Sequence, residues 1–241
     1  MVNAVIRNFS SSSKSQQKLL ALLVLTLAVF LANGYNPVSL PGMAKDGADK
    51  QKKIGTLTVG KAAPDFKLND VDGKTWRLKD LKGKVVVLEW FNHGCPFVKK
   101  HYDSGNMQSL QKRYTAKDVV WLSVCSSAEG NQGFESAEKH KAMFRDKKAA
   151  PTAVLTDPTG RVGRLYGAKT TPHMFIIGKS GKLLYQGAID NNASGFSKEE
   201  VLKADNYVAG ALDRILAGKS VTDSDTKSYG CSVKYAKKSV N

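Results

Sequence analysis

The sequence predicts an α/β fold, a central mixed β-sheet with helices on both faces, and three observations carry that expectation. The β-branched run Val85-Val86-Val87-Leu88 leads through a short turn into Cys95, Pro96 and an amphipathic stretch. That is the pattern of a buried strand delivering a cysteine to the mouth of a helix with proline in its first turn. Strand-like and helix-like patterns then follow in the order β-α-β-α-β, closed by a hairpin pattern and a final helix. The composition, 41% hydrophobic and 24% charged, is that of a globular protein with a real core.

A different segment stands ahead of the fold. Leu19 to Ala32 is an apolar run of 14 residues, preceded by Arg7, Lys14 and Lys18 and by no acidic residue. A membrane-spanning helix needs about 20 apolar residues. The run fits the core of a secretory signal instead, with Ala32-Asn33-Gly34 and Gly42-Met43-Ala44 as candidate cleavage sites. Residues 1–44 are expected to be a signal peptide or an uncleaved membrane anchor. The protein is expected to be exported, periplasmic or otherwise extracytoplasmic, with membrane contact only through this segment. Residues 45–56 read as a linker, 57–218 as the folded domain and 219–241 as a polar tail that carries Cys231.

Within the domain, Asp65 to Leu78 reads as short strands around the turn Asp70-Val71-Asp72-Gly73. Gly83 launches a strand over Val85–Phe91. Pro96–Tyr114 is helical, broken at Asp103-Ser104-Gly105, and Val119–Cys125 is a second apolar strand. Phe134–Lys148 is a charged helix stopped before Pro151. Thr152–Leu155 is a short strand and Gly160–Tyr166 a short helix. Thr171-Pro172 introduces the strand Met174–Ile177, and Ser180-Gly181 turns it into Leu183–Tyr185. Ser197 with Glu200 forms a capping box for the last helix, which Gly218 stops.

The net charge is +16, yet the lysines are scattered, as at Lys79, Lys82, Lys84, Lys139 and Lys141. No stretch interleaves basic and aromatic residues, so a solvated basic surface is expected and a nucleic-acid partner is not. No glycine-rich phosphate loop calls for an organic cofactor, and none is expected. Three cysteines, Cys95, Cys125 and Cys231, are too few for a disulfide-scaffolded mini-protein, and their spacing offers no CxxC zinc pair. The odd count leaves at least one thiol free or paired outside the chain. Cys95 is the candidate nucleophile. The first N–H groups of a helix lack internal partners and carry the positive end of its dipole, so a thiolate there is stabilised.

These residues resemble the thioredoxin superfamily, and within it the redoxin branch of alkyl hydroperoxide reductase and thiol-specific antioxidant proteins. The resemblance covers about residues 57–218. It rests on Ala63-Pro64-Asp65-Phe66, Gly83-Lys84-Val85-Val86-Val87, Trp90-Phe91, Cys95-Pro96, Thr171-Pro172 and the hairpin after it. Cys95-Pro96-Phe97-Val98-Lys99-Lys100-His101-Tyr102 together with Tyr229-Gly230-Cys231-Ser232-Val233-Lys234-Tyr235 is similar to one exported subgroup. The resemblance implies a thioredoxin-like fold and a thiol-dependent oxidoreductase that acts on protein thiols and disulfides or on a hydroperoxide. A thioredoxin-type protein would be its reductant. Two departures stand out. Thioredoxins carry a second cysteine three residues after the first, where this chain has Val98. Peroxiredoxins carry a proline and a threonine or serine where this chain has Leu88 and Asn92.

The resemblance also suggests roles. Glu89 matches a buried acid that handles protons near the reactive sulfur; the alternative is a solvent-facing residue of an alternating strand. Thr171-Pro172 is similar to the cis-proline turn whose backbone binds an extended partner. His93 and His173 are placed to stabilise a thiolate or to sit idle on the surface; His101 and His140 read as structural or solvated. Cys231 is the candidate resolving thiol, able to fold back onto Cys95 or cross to a second subunit, from a tail expected to be mobile. Cys125 reads as a small, inert, buried hydrophobe. A second class of function is a copper carrier using Cys95, His93, His173 and Met174 as soft ligands.

Overall fold

The computed structural model describes residues 57–237. The expected leader at 1–44, the linker at 45–56 and the last four residues of the tail lie outside the described residues. The strands are β1 (Lys67–Asp70), β2 (Thr75–Arg77), β3 (Val86–Trp90), β4 (Val120–Cys125), β5 (Ala153–Thr156), β6 (Thr170–Thr171), β7 (His173–Ile177), β8 (Leu183–Gly187) and β9 (Cys231–Ser232). The helices are α1 (Pro96–Asp103), α2 (Asn106–Thr115), α3 (Ala137–Asp146), α4 (Arg161–Tyr166), α5 (Lys198–Lys203) and α6 (Tyr207–Leu216). Among the described residues no helix is long and apolar enough to cross a membrane.

Seven strands form one mixed sheet in the order β2-β1-β5-β4-β3-β7-β8. The β3–β4 and β4–β5 pairs are parallel and the other neighbours antiparallel. β3 is buried at all five positions, because helices cover both faces of the sheet at its centre. That is why its sequence is an apolar run rather than an alternation. Val86, Leu88 and Trp90 enter one core with Leu122, Val124, Phe175 and, from α4, Val162 and Tyr166. Val87 and Phe91 enter the opposite core with Tyr102 of α1, Met107 and Tyr114 of α2, Phe144 of α3 and Leu212 of α6.

Several element boundaries differ from the expectation, each for a local reason. The helix expected over Phe134–Lys148 begins only after Ser136, whose hydroxyl caps it by accepting from Lys139 N–H; Phe134 stays outside and exposed. The capping box of Ser197 and Glu200 is present, but it opens a short helix, α5, not the last one. The chain leaves the helix at Ala204 and a second cap, Asn206, starts α6.

The tail departs furthest from its sequence-based reading. It is docked rather than mobile. The Gln186 N–H donates to the Ser224 carbonyl and the Thr226 N–H to the Gln186 carbonyl, which extends the β8 edge. Gly187 has φ +140, and a Cβ there would stand 2.3 Å from the Thr226 carbonyl oxygen, so the junction requires glycine. Further on, β9 pairs antiparallel with β6. The Ala128 N–H donates to the Lys234 carbonyl at 2.8 Å, and the Tyr235 hydroxyl to Ala168 O at 2.8 Å. Polar side chains did not prevent this docking, because the backbone supplies most of the bonds while Val233 and Tyr235 pack against one core.

Candidate active site

The strand β3 ends at Trp90, and a turn follows that its own residues build. The Asn92 side chain accepts from Gly94 N–H at 2.8 Å and donates to the Gln132 carbonyl at 3.0 Å. The Cys95 N–H donates to the Asn92 carbonyl at 3.0 Å. Cys95 is then the N-cap of α1, with Pro96 in the first turn, as the sequence predicts. The thiol is 0% exposed. It donates to the carbonyl of Thr171 at 3.0 Å.

Thr171 is held at that point by two partners. The Thr171-Pro172 bond is cis, which agrees with the expected turn. Thr171 also lies opposite Cys231 in the β6–β9 ribbon. Gly230, with φ +128, lets the tail approach so closely that a Cβ there would stand 2.1 Å from the Thr171 carbonyl oxygen. The same carbonyl therefore meets Cys95 from one side and the tail from the other. Burial pushes the Cys95 thiol up, but hydrogen bonding from the Cys231 thiol, from Thr171 and from the N–H groups of Cys231 and Val98 outweighs it, and its pKa is lowered. Cys231 is half-buried, and its pKa is pushed up to about 11 by burial and by the facing Cys95.

The remaining predicted residues are arranged differently. Glu89 is fully buried, not solvent-facing. Burial raises its pKa against four donors: Trp121 Nε1, Ser123 Oγ, Tyr102 Oη and Gln111 Nε2, at 2.8 to 3.2 Å. No thiol is among its hydrogen-bond partners. His93 packs edge-on to Phe91 and Phe144 and lies 5.5 Å from the ring of His140. Burial first, then the neighbouring His140 and lysines, push its pKa down to about 3. His173 is buried on Phe175 with Nδ1 accepting from Lys169 N–H, and burial pushes its pKa down to about 4. Neither histidine is a hydrogen-bond partner of Cys95. His101 and His140 are both buried; burial pushes the His101 pKa down to about 3 and lowers that of His140. Among the described residues no group of three or more His, Cys, Asp or Glu is placed to hold a metal ion. Sequence reading singled out Cys95, Thr171, Pro172 and Cys231, which meet. It missed the tail's supports, Lys100, His101 and Asp190, because no local pattern marks a socket whose occupant lies 128 residues away from His101 in the chain.

Comparison with known proteins bears on the family and the fold. The model of the AhpC/TSA family matches residues 59–186. The thiol-disulfide oxidoreductase ResA of Bacillus cereus is 30% identical over 147 residues, 61% of this chain and 78% of that protein. The ResA of Geobacillus thermodenitrificans is 28% identical over 170 residues, 70% of this chain and 87% of that one. Among solved structures, an uncharacterized conserved protein from Geobacillus kaustophilus superposes with a TM-score of 0.63 at 30% identity, over 75% of this chain and 93% of that chain. A hypothetical protein from Sinorhizobium meliloti shares the fold, with a TM-score of 0.63 at 22% identity over 76% of this chain and 97% of that one.

Proposed function

The chain belongs to the AhpC/TSA family and is a thiol-dependent oxidoreductase, and on that premise we propose that it exchanges disulfides through Cys95, with Cys231 as its internal resolving thiol. One observation carries the reading: Cys231 pairs with Thr171 beside the buried Cys95 sulfur. The chemistry runs in two displacements. The Cys95 thiolate attacks one sulfur of a substrate disulfide, forms a mixed disulfide and releases the other sulfur as a thiolate. Cys231 then loses its proton and attacks the Cys95 sulfur, releasing the second substrate thiolate and leaving a Cys95–Cys231 disulfide. The substrate gains two electrons, the protein loses two, and an external dithiol of thioredoxin type restores it.

The two thiols are ordered for this sequence. Hydrogen bonding to Cys95 is part of what holds the Cys231 proton. Once Cys95 is tied in a mixed disulfide, its charge is gone and that part of the hold on the proton is lost. Val98, where a thioredoxin has its second cysteine, leaves the resolving step to the tail. Peroxide reduction is disfavoured by Asn92: its side chain is committed to Gly94 and Gln132, and no hydroxyl occupies that position. The resemblance to exported redoxins and the apolar run Leu19–Ala32 support an extracytoplasmic location. The test is a peptide map, reduced against non-reduced, after mild oxidation. A Cys95–Cys231 link is expected, and oxidised protein that turns over without one would sink the resolving role.

A further inference from the structure

The motif Tyr229-Gly230-Cys231 carries an aromatic side chain that the exchange chemistry does not use. Its ring lies 6.0 Å from Phe97 and 4.8 Å from the Lys100 ammonium, measured to ring centroids. Its hydroxyl enters a buried polar socket. It donates to Asp190 Oδ1 and stands 3.0 Å from His101 Nε2. His101 and Asp190 are 0% and 1% exposed.

The direction of the bonds can be read from the far end of the socket. Asn206 Nδ2 donates to Asn106 Oδ1 at 3.4 Å, which turns the Asn106 Nδ2 toward His101 Nδ1, 2.9 Å away. Burial, with the Lys100 charge beside it, keeps His101 neutral. A neutral imidazole that accepts at Nδ1 carries its proton on Nε2 and donates to the Tyr229 oxygen. The donors therefore run in one direction, from Asn106 through His101 and Tyr229 to Asp190. Asp190 Oδ1 also accepts from Asn192 N–H at 3.0 Å, and its Oδ2, 4.0 Å from His101 Nδ1, has no hydrogen-bond partner. Lys100 spends its ammonium on the carbonyls of Asn192 and Gly195. If the tail lifts, a buried imidazole N–H loses its acceptor and a buried carboxylate loses one of its two donors, and the groups left behind favour its return.

We propose that Tyr229 is the positioning residue for Cys231: its hydroxyl, seated between His101 and Asp190, sets the register of β9 so that Cys231 lies against Thr171 and Cys95. This rests on the exchange reading above. Gly230 makes the register unique. A slip by one residue would bring Tyr229 or Cys231 to the point where even a Cβ meets the Thr171 carbonyl. Anchor and glycine thus act together, one holding the strand and the other admitting a single position for it.

The test equilibrates the full chain with glutathione. One protein dithiol and one oxidised glutathione give one Cys95–Cys231 disulfide and two reduced glutathiones, so the equilibrium constant is the effective concentration of Cys231 at Cys95. Tyr229→Phe keeps the ring over Phe97 and Lys100 and removes only the hydroxyl. It is expected to lower that constant about tenfold or more, the range for a hydrogen bond to a charged group. In the reduced protein, the pH inflection for alkylation of Cys95 is expected to move upward as the Cys231 donor withdraws. Gly230→Ala, which attacks the register from the other side, should do the same. The far-UV circular dichroism of reduced Tyr229→Phe should match that of the wild type, which it would not after a general loss of structure. Wild-type values of both constant and inflection in Tyr229→Phe overturn the positioning role. Wild-type protein that forms no Cys95–Cys231 disulfide overturns the resolving role, while the alkylation inflection still decides whether Tyr229 sets the tail.

Discussion

Two neighbouring parallel strands, β3 and β4, each deliver a buried cysteine to the same edge of the sheet, and the two thiols behave in opposite ways. Cys95, four residues beyond Phe91, has a lowered pKa, while Cys125, the last residue of β4, has a raised one. Burial pushes both upward and is the largest influence on each; they differ in whether hydrogen-bond donors overcome it. Cys95 meets the thiol and N–H of Cys231, Thr171, and the Val98 N–H in the first turn of α1, all of which favour a thiolate. For Cys125 burial outweighs the hydrogen bonds from Ser127, and the negative charges of Asp157 and Glu135 add to the rise; its thiol donates to the Gly133 carbonyl at 3.2 Å. On this edge the donors that meet a cysteine decide whether its thiolate is favoured.

The largest test of that contrast is substitution at the two positions. Cys95→Ser should abolish disulfide exchange, measured as turnover of a small disulfide with a dithiol reductant. Cys231→Ser should come next: turnover falls about tenfold or more, and the mixed disulfide on Cys95 accumulates and is seen by mass spectrometry. If Cys231→Ser turns over as fast as wild type, an external thiol resolves Cys95 and the tail serves another purpose.

The pH dependence sharpens the same contrast. Alkylation of Cys95 should show its inflection below the free-thiol value of about 8.5, and alkylation of Cys125 above it. The stability signs are opposite. A lowered Cys95 pKa contributes stability that is fully present above the unfolded value and is lost as pH falls through the folded one. A raised Cys125 pKa contributes stability present below the unfolded value and lost as pH rises through the folded one. Urea unfolding of Cys95→Ser and Cys125→Ala between pH 6 and 10 should diverge in these directions, and parallel curves would break the comparison.

How much of this the sequence carries depends on the range of the interaction. The strand, the turn and the proline-capped helix around Cys95 are local, and each left a local mark: a β-branched run, Asn92 with Gly94, and Pro96 at the first turn. The sequence suggests one last helix where the fold has two, because the capping box, also local, belongs to α5 and the exit at Ala204 carries no glycine or proline. The docking of the tail depends on residues such as Gly187, Lys169 and His101, each far from its partner in the chain, and its polar composition points the other way. The burial of Glu89 was visible only as one of two readings of a strand. Its four donors come from α1, α2 and β4, and no single segment announces them.

Glu89 supplies a smaller prediction on the side of Cys95. Glu89→Ala removes the shared acceptor of Tyr102, Gln111, Trp121 and Ser123 and leaves buried donors unsatisfied. A loss of about 3 kcal/mol in unfolding free energy is expected, the upper range for stranding a buried polar group. Urea titration checks it. A loss under about 1 kcal/mol would mean that the donors find other acceptors.

The smallest expected effect belongs to Cys125→Ala, and it decides whether the two cysteines are truly opposite in function. The side chain is 4% exposed and packs in the same core as Val87, Phe91 and Trp121. The hydrogen bond it donates, to Gly133 O, is a weak thiol bond whose loss costs little. The substitution removes one buried sulfur and its dispersion contacts, so about 1 kcal/mol of stability is expected to be lost. The exchange rate should stay within about twofold of wild type, because Cys125 bonds to Gly133 and Ser127 and not to Cys95, Thr171 or Cys231. A tenfold fall in exchange with an intact fold would show that Cys125 takes part in the thiol chemistry, and the edge of the sheet would then carry a three-cysteine relay instead of a pair.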